Sequence, residues 1–271
     1  MKNKFQDKVA IITGSSRGIG KAIAIELAKQ GAHIVLNGRN QERLKETEDI
    51  IREIHPNVIS FCCEVSDANA SKELIEAAIE RFGKLDILIN NVGVSMRGTV
   101  AELNPDVFKK VFESNVYGTV NPTIPAIPHL RKTNGSIVFI SSLAGIRGLP
   151  GLSAYCSSKM ALRPIAESIR IEEKKHNIHV GLIQVGITEI EHKKEAIAAD
   201  GSLKILKDRD KAKVQTTQQV ALATLRNIKK RKFITTLTGI GKLNKFMQAR
   251  FPMLVEKIIL KNLHKFEEKS E

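Results

Sequence analysis

The chain has 271 residues, long for one domain and short for two, so one α/β domain with an extension is expected. Hydrophobic residues at 42% and charged residues at 27% fit a soluble globular protein, and no apolar run reaches the ~18 residues of a membrane-spanning helix. The formal charge of +14 would suit nucleic acid, anionic lipid or an acidic carrier protein, but 4% aromatics and no Trp leave few stacking platforms and argue against nucleic acid.

The first two-thirds alternate strand-like and helix-like segments. The opening residues run into a glycine motif with no small-residue cleavage site, so a signal peptide is not read and a cytoplasmic location is expected. Residues 9–13 form a short β-branched run, and 18–30 carry Ile19, Ala22, Ile23 and Leu27 at helical spacing. Residues 34–37 read as a strand, 41–54 as a charged helix, 58–62 as a strand, 70–82 as a helix and 87–90 as a strand. Cys62, Cys63 and Cys156 are odd in number and two are adjacent, which implies neither a disulfide framework nor a metal site. Cys62 and Cys63 are read as core packing in their strand. A long helix is predicted over 105–130, a strand over 136–141, a helix over 154–175 and strands over 179–184 and 232–236. This alternation predicts an α/β fold, a doubly wound parallel sheet flanked by helices and followed by a C-terminal helical extension. Pro122, Pro125 and Pro128 fall inside the first long helix and Pro164 inside the second, where kinks or broken turns are expected. Residues 188–215 are charged and aperiodic and read as a mobile lid between strand and helix.

The first strand ends in Thr13-Gly14-Ser15-Ser16-Arg17-Gly18-Ile19-Gly20, and a helix follows. Glycines there allow a tight turn and close approach of a diphosphate, and the helix N-terminus offers free N–H groups and positive dipole. The second strand ends at Leu36-Asn37-Gly38-Arg39, without the acid that would hold a ribose 2′-hydroxyl. Arg39 and Arg17 would instead suit a 2′-phosphate, so NADP(H) is favoured over NAD(H).

Tyr155 and Lys159 stand at i and i+4 near a predicted helix start, so phenol and ammonium share a face. An unperturbed tyrosine titrates near pH ~10, and a nearby cation favours the phenolate. The pair can therefore exchange a proton. The only other tyrosine is Tyr117. Ser142 follows the 136–141 strand at the carboxyl edge, where open α/β sheets bind ligands.

With these motifs in order, residues 5–236 resemble a short-chain dehydrogenase/reductase of the classical type with a TGxxxGxG turn. The matching pieces are the 13–20 turn, Asn90-Asn91-Val92-Gly93, Asn115, Ser142, and Tyr155 with Lys159. The resemblance implies a Rossmann-like fold and an oxidoreductase acting on a carbonyl/alcohol substrate. It implies Tyr155 as general acid/base, Ser142 orienting and polarising the carbonyl, and Lys159 lowering the Tyr155 pKa and binding the nicotinamide ribose. Asn115 would hold a water linking Lys159 to solvent, and Asn91 would support the sheet and line the cofactor cleft. Gly14, Ser16, Arg17, Gly18, Ile19, Gly20, Arg39, Glu64, Val65, Asn91, Gly93, Tyr155, Lys159, Gly186 and Thr188 are the implied cofactor contacts. Three departures stand out. Glu64 replaces the family's Asp before Val65, Val92 replaces Ala, and Val185 replaces the Pro before Gly186. The threonine that touches the carboxamide is Thr188, unless Ile190 takes its slot. A homodimer or homotetramer through 105–130 and 154–175 is also implied.

The extension, 237–271, carries Ile240, Leu243, Met247, Phe251, Leu254, Ile258 and Leu263 at helical spacing, interrupted by Pro252. Lys242, Lys245, Arg250, Lys257, Lys261 and Lys265 interleave. Its apolar face either covers the core or a dimer partner, the preferred reading, or lies on an anionic membrane surface. A hydrophobic ketone or secondary alcohol is the expected substrate. The alternatives are a 3-oxoacyl reductase working on an acidic carrier and a non-catalytic NADP-binding regulator.

Overall fold

The computed structural model describes residues 4–189, 195–206 and 214–264. Strand β1 (Val9–Ile12) is buried at all four positions. Ala10 and Ile12 join one apolar cluster and Ile11 the other, the two-residue period of a strand covered on both faces. The chain continues through α1 (Gly18–Ala28), β2 (His33–Gly38), α2 (Gln41–Ile54), β3 (Val58–Cys62), α3 (Ala68–Phe82), β4 (Ile87–Asn90) and the short β5 (Met96–Arg97). Next come α4 (Pro105–Phe112), a π-helical turn at Glu113–Tyr117, α5 (Gly118–Thr133), β6 (Ser136–Ser142), α6 (Ser153–Glu172) and β7 (His179–Val185). The last third holds β8 (Glu195–Ala198), β9 (Leu203–Ile205), α7 (Thr217–Lys229), β10 (Ile234–Thr236), α8 (Gly239–Arg250) and α9 (Pro252–Lys261).

Seven parallel strands run in the order β3-β2-β1-β4-β6-β7-β10. Helices α1, α2 and α7 cover one face, and α3, α5 and α6 the other. The chain reverses its direction of travel across the sheet between β1 and β4, so their carboxyl ends splay apart and form a crevice. Local signals fix several helix ends. Asn40 accepts from Arg43 N at 2.8 Å and starts α2, and Asp67 accepts from Ala70 N at 2.8 Å and starts α3. Gly83, at φ 75°, ends α3 in the left-handed region.

Four expectations need correction. The long 105–130 helix is two helices joined by the π turn, yet α5 runs unbroken through Pro122, Pro125 and Pro128, as α6 does through Pro164. Burial of Pro122, Thr123, Ala126 and Leu130 holds α5 in place, and Thr123 Oγ1 donates to Thr119 O at 2.7 Å, so tertiary packing overrides the missing N–H groups. The 188–215 segment is not structureless. β8 and β9 form an antiparallel hairpin that docks in parallel on β5, with Ala196 and Ile197 buried. Its turn is set by Gly201 at φ 93° and by Asp200 Oδ1, which accepts from Ser202 N at 2.9 Å. Residues 190–194 and 207–213 of that segment, Ile190 among them, lie outside the described residues. Cys62 is exposed rather than core, because β3 is the edge strand, and Cys63 is half-buried just beyond it. Finally, the extension buries Leu237 and Val255 but leaves most of its apolar stripe uncovered by the core. Ile240, Leu243 and Phe246 are 81%, 60% and 57% exposed. Pro252 does not interrupt a helix but opens α9 at its first position, where a proline N–H is not needed. No helix among the described residues is long and apolar enough to cross a membrane.

Candidate active site

The turn after β1 is built by close backbone approach. Gly14 and Gly18 hold φ 61° and 58°. A Cβ on Gly20 would fall on the carbonyl oxygen of Gly14, so only glycine closes the turn there. Gly18 has open space where its Cβ would stand, and Arg17 puts no side-chain cap on α1, so the positive end of the helix dipole faces the turn without a side chain in the way of an anion. Asn91 fastens the turn to the end of β4: its Nδ2 donates to Thr13 O and Gly14 O, both at 3.0 Å. Thr13 Oγ1 accepts from Asn91 N at 3.0 Å and Val92 N at 3.3 Å. Ser16 and Ile19 are half-buried along the same turn, and Arg17 is exposed.

Asn37 ties the turn to the next strands. Its N–H donates to Ser15 Oγ at 2.9 Å, Ser15 N donates back to Asn37 O at 2.8 Å, and Asn37 Nδ2 donates to Cys63 O at 3.2 Å. Burial pushes the Cys63 thiol up to about 11, so it stays protonated at neutral pH. Arg39, directly after β2, donates from Nη1 to Glu64 Oε2 at 3.0 Å. Val65 is buried beside them, 1% exposed.

On the far side of the crevice, Ser142 ends β6. Its Oγ accepts from Ala144 N at 3.1 Å, which leaves the hydroxyl proton free to donate elsewhere. Tyr155 and Lys159 lie one turn apart on α6. Tyr155 packs against a small apolar cluster of Met96, Val107, Val111, Ala154 and Ile197, supplied by β5, α4 and β8. The hairpin therefore forms part of the wall behind the phenol. Lys159 is 5% exposed, and its Nζ donates to Ile140 O at 3.2 Å. Burying an ammonium is costly, so a purely structural lysine is rare at such a place. A Cβ on Gly93 would stand 2.8 Å from Lys159 Nζ and 3.0 Å from Asn115 Oδ1, so glycine makes room for both. Asn115, fully buried in the π turn, accepts from Val94 N at 2.7 Å and donates to Val94 O at 3.0 Å and Ser158 Oγ at 2.9 Å. Its side chain is thus spent on positioning. Gly186 N donates to Gln215 Oε1 at 3.3 Å, and Thr188 Oγ1 donates to Gly186 O at 3.2 Å, at the mouth beyond β7.

The structure thus brings Asn115, Ser142, Tyr155, Lys159, Asn91 and Gly93 to one end of the sheet. Arg17, Arg39, Glu64 and Val65 lie toward the β2–β3 side. Thr13, Asn37 and Ser158 belong to the same framework and were missed as site residues. Thr13 heads the glycine turn and Ser158 sits between Tyr155 and Lys159, so position alone marked both. Nothing in the sequence marked Asn37 as a tie between strands. Tyr117 is 56% exposed and takes no part.

Residues 8–201 match the family model described as short chain dehydrogenase. Dehydrogenase/reductase SDR family member 7B of Bos taurus is 31% identical over 273 residues, covering 98% of this chain and 84% of that protein. The 3-ketodihydrosphingosine reductase of Mus musculus is 40% identical over 176 residues, covering 63% of this chain and 53% of that protein. A short chain dehydrogenase/reductase from Burkholderia phymatum, solved in complex with NAD, superposes with a TM-score of 0.80 at 24% identity, covering 93% of this chain and 96% of its own. The chain belongs to the short chain dehydrogenase family, and it is an oxidoreductase of the kind that works between CH–OH and C=O groups.

Proposed function

We propose that the protein is an NADP(H)-dependent oxidoreductase that interconverts a hydrophobic ketone and its secondary alcohol. The observation that carries this reading is the convergence of Ser142, Tyr155, Lys159 and Asn115 on a crevice whose other wall is an uncapped, glycine-built helix start. The bound nicotinamide supplies or accepts the hydride. In the reducing direction, Tyr155 gives its phenolic proton to the carbonyl oxygen while Ser142 donates a hydrogen bond to the same oxygen. Lys159 would stabilise the phenolate that remains and would help hold the ribose of the bound cofactor. Asn115 holds the Val94 backbone with its amide. Its main-chain oxygen, which accepts from Thr119 Oγ1 at 3.0 Å, is the atom that would hold a relay water in this proposal.

NADP(H) is preferred in this proposal because the end of β2 offers Arg39, with Arg17 in the turn, and no acid for a 2′-hydroxyl. The hydrophobic substrate is supported by the apolar wall behind Tyr155 and by the named substrate of the murine relative, a ketone of a sphingoid base. The charge of +14 favours one second reading, an acyl chain presented by an acidic carrier. Assembly as a homodimer or homotetramer through α4, α5 and α6 is part of the proposal, since Phe108, Ile124 and Met160 are exposed there. So is a cytoplasmic location with peripheral membrane contact through α8 and α9. The test is turnover of a ketone panel of rising chain length, free and carrier-bound, with deuterated NADPH. Deuterium should appear on the carbinol carbon of the longer free ketones. Its absence from every product would end the redox reading, and preference for carrier-bound chains would favour the second.

A further inference from the structure

Twenty large apolar side chains are exposed among the described residues, and eight of them lie between Ile240 and Leu260. Helix α8 is inside out. Its inward stripe is Gly241, Asn244, Lys245 and Gln248, at spacing i, i+3, i+4 and i+7. Gln248 Oε1 accepts from Arg147 Nη1 at 3.0 Å, and a Cβ on Gly241 would stand 2.8 Å from Leu143 Cδ2. The outward stripe is Ile240, Leu243 and Phe246. A helix on a water-facing surface turns these two faces the other way. Helix α9 continues the surface: Val255 is buried, while Leu254 and Ile258 are 47% and 50% exposed.

Charge decides what covers this face. Among the described residues of α8 and α9, Lys242, Arg250, Lys257 and Lys261 are exposed against one acid, Glu256, and the whole extension 237–271 carries seven Lys and Arg against four Glu. A twofold dimer through the patch would set it against itself and face cation with cation. An anionic bilayer supplies both an apolar layer and the opposite charge. We infer that α8 and α9 dock the protein on an anionic lipid surface with their outward side chains immersed. The inward face of α8 rests on Leu143, the residue after Ser142, so docking brings the crevice mouth to the bilayer and a lipid-dissolved substrate can enter from it. The docking deepens the peripheral contact included in the proposed function and is independent of the proposed reaction, whereas this last step rests on that reaction.

The test is co-sedimentation of the full chain with vesicles of phosphatidylcholine alone and of phosphatidylcholine with phosphatidylglycerol. The protein should bind the anionic vesicles at least about tenfold more tightly, and added salt should weaken that binding. Leu243→Glu with Phe246→Glu should lower binding about tenfold or more at an unchanged melting temperature. Lys257→Gln with Lys261→Gln leaves the apolar face intact and should cost about fivefold per cation. Tyr155→Phe should sediment as the wild type does, which separates docking from catalysis. Equal binding to both vesicle types, unaltered binding of both double variants, or a tail-mediated dimer without vesicle binding would overturn the inference. Docking without faster turnover of a vesicle-dissolved ketone would overturn the delivery step alone.

Discussion

The Arg39–Glu64 pair makes cofactor preference a quantitative matter. Its side chains are 67% and 39% exposed, so the ion pair contributes about 0–1 kcal/mol. A charge-assisted arginine–phosphate contact contributes about 1.5–3 kcal/mol. A 2′-phosphate should therefore take Arg39 from Glu64 with a net gain of about 0.5–3 kcal/mol, the difference between those two ranges. Arg39→Gln should weaken NADPH by about 2- to 150-fold, the same 0.5–3 kcal/mol written as a ratio, and leave NADH within about twofold. Glu64→Gln removes a competing acceptor and a like charge, so NADPH should tighten by about two- to fivefold. The double variant should show that this gain requires Arg39. Calorimetric titration of both cofactors at ~0.1 M salt reads every corner of the cycle, and the Arg39 effect should shrink as salt rises. Equal loss of NADH and NADPH in Arg39→Gln, or weaker NADPH binding in Glu64→Gln, would refute the reasoning.

Two further perturbations probe the framework. Gly93→Ala places a methyl 2.8 Å from Lys159 Nζ and should lower kcat about 10- to 100-fold, with the far-ultraviolet dichroism unchanged. Wild-type turnover in that variant would mean that the ammonium tolerates displacement. His179, 4% exposed, donates from Nε2 to Lys232 O at 2.9 Å and leaves buried Nδ1 without a hydrogen-bond partner. Burial lowers its pKa from 6.5 to about 4. The unfolded chain thus takes up this proton before the folded one does, so stability is whole above pH 6.5 and falls as pH drops toward about 4. The full loss is about 3 kcal/mol, and thermal melts between pH 7.5 and ~5 should show less of it in His179→Gln. Arg131, hydrogen-bonded to Glu173, holds that carboxyl below its ordinary 4.5, so its own acid loss lies lower and does not mask the histidine. Identical melting curves for wild type and variant across that range would contradict the assignment.

What the sequence made legible was local. The glycine turn, the strand periods and the i, i+4 pair on α6 depend on neighbours within a few residues, and each is found where its spacing put it. The hairpin β8–β9 was not legible, because its short strands are held by pairing with β5, about a hundred residues upstream. The prolines of α5 misled because buried neighbours outweigh three lost N–H groups. Spacing also revealed an apolar stripe in the extension, but the direction it faces is set by Leu143 and Arg147, distant in sequence. At the site, Thr13 and Ser158 were marked by their places in the motifs, but the partners they bind, and the role of Asn37 as a tie between strands, are tertiary facts.

The account turns on proton transfer by Tyr155. Its most direct test is single-turnover reduction of a reactive hydrophobic ketone by Tyr155→Phe bound to NADPH. The cofactor should bind within about twofold of wild type, while the chemical step should slow by about 10²–10⁴-fold. A wild-type rate in that variant would contradict the central claim.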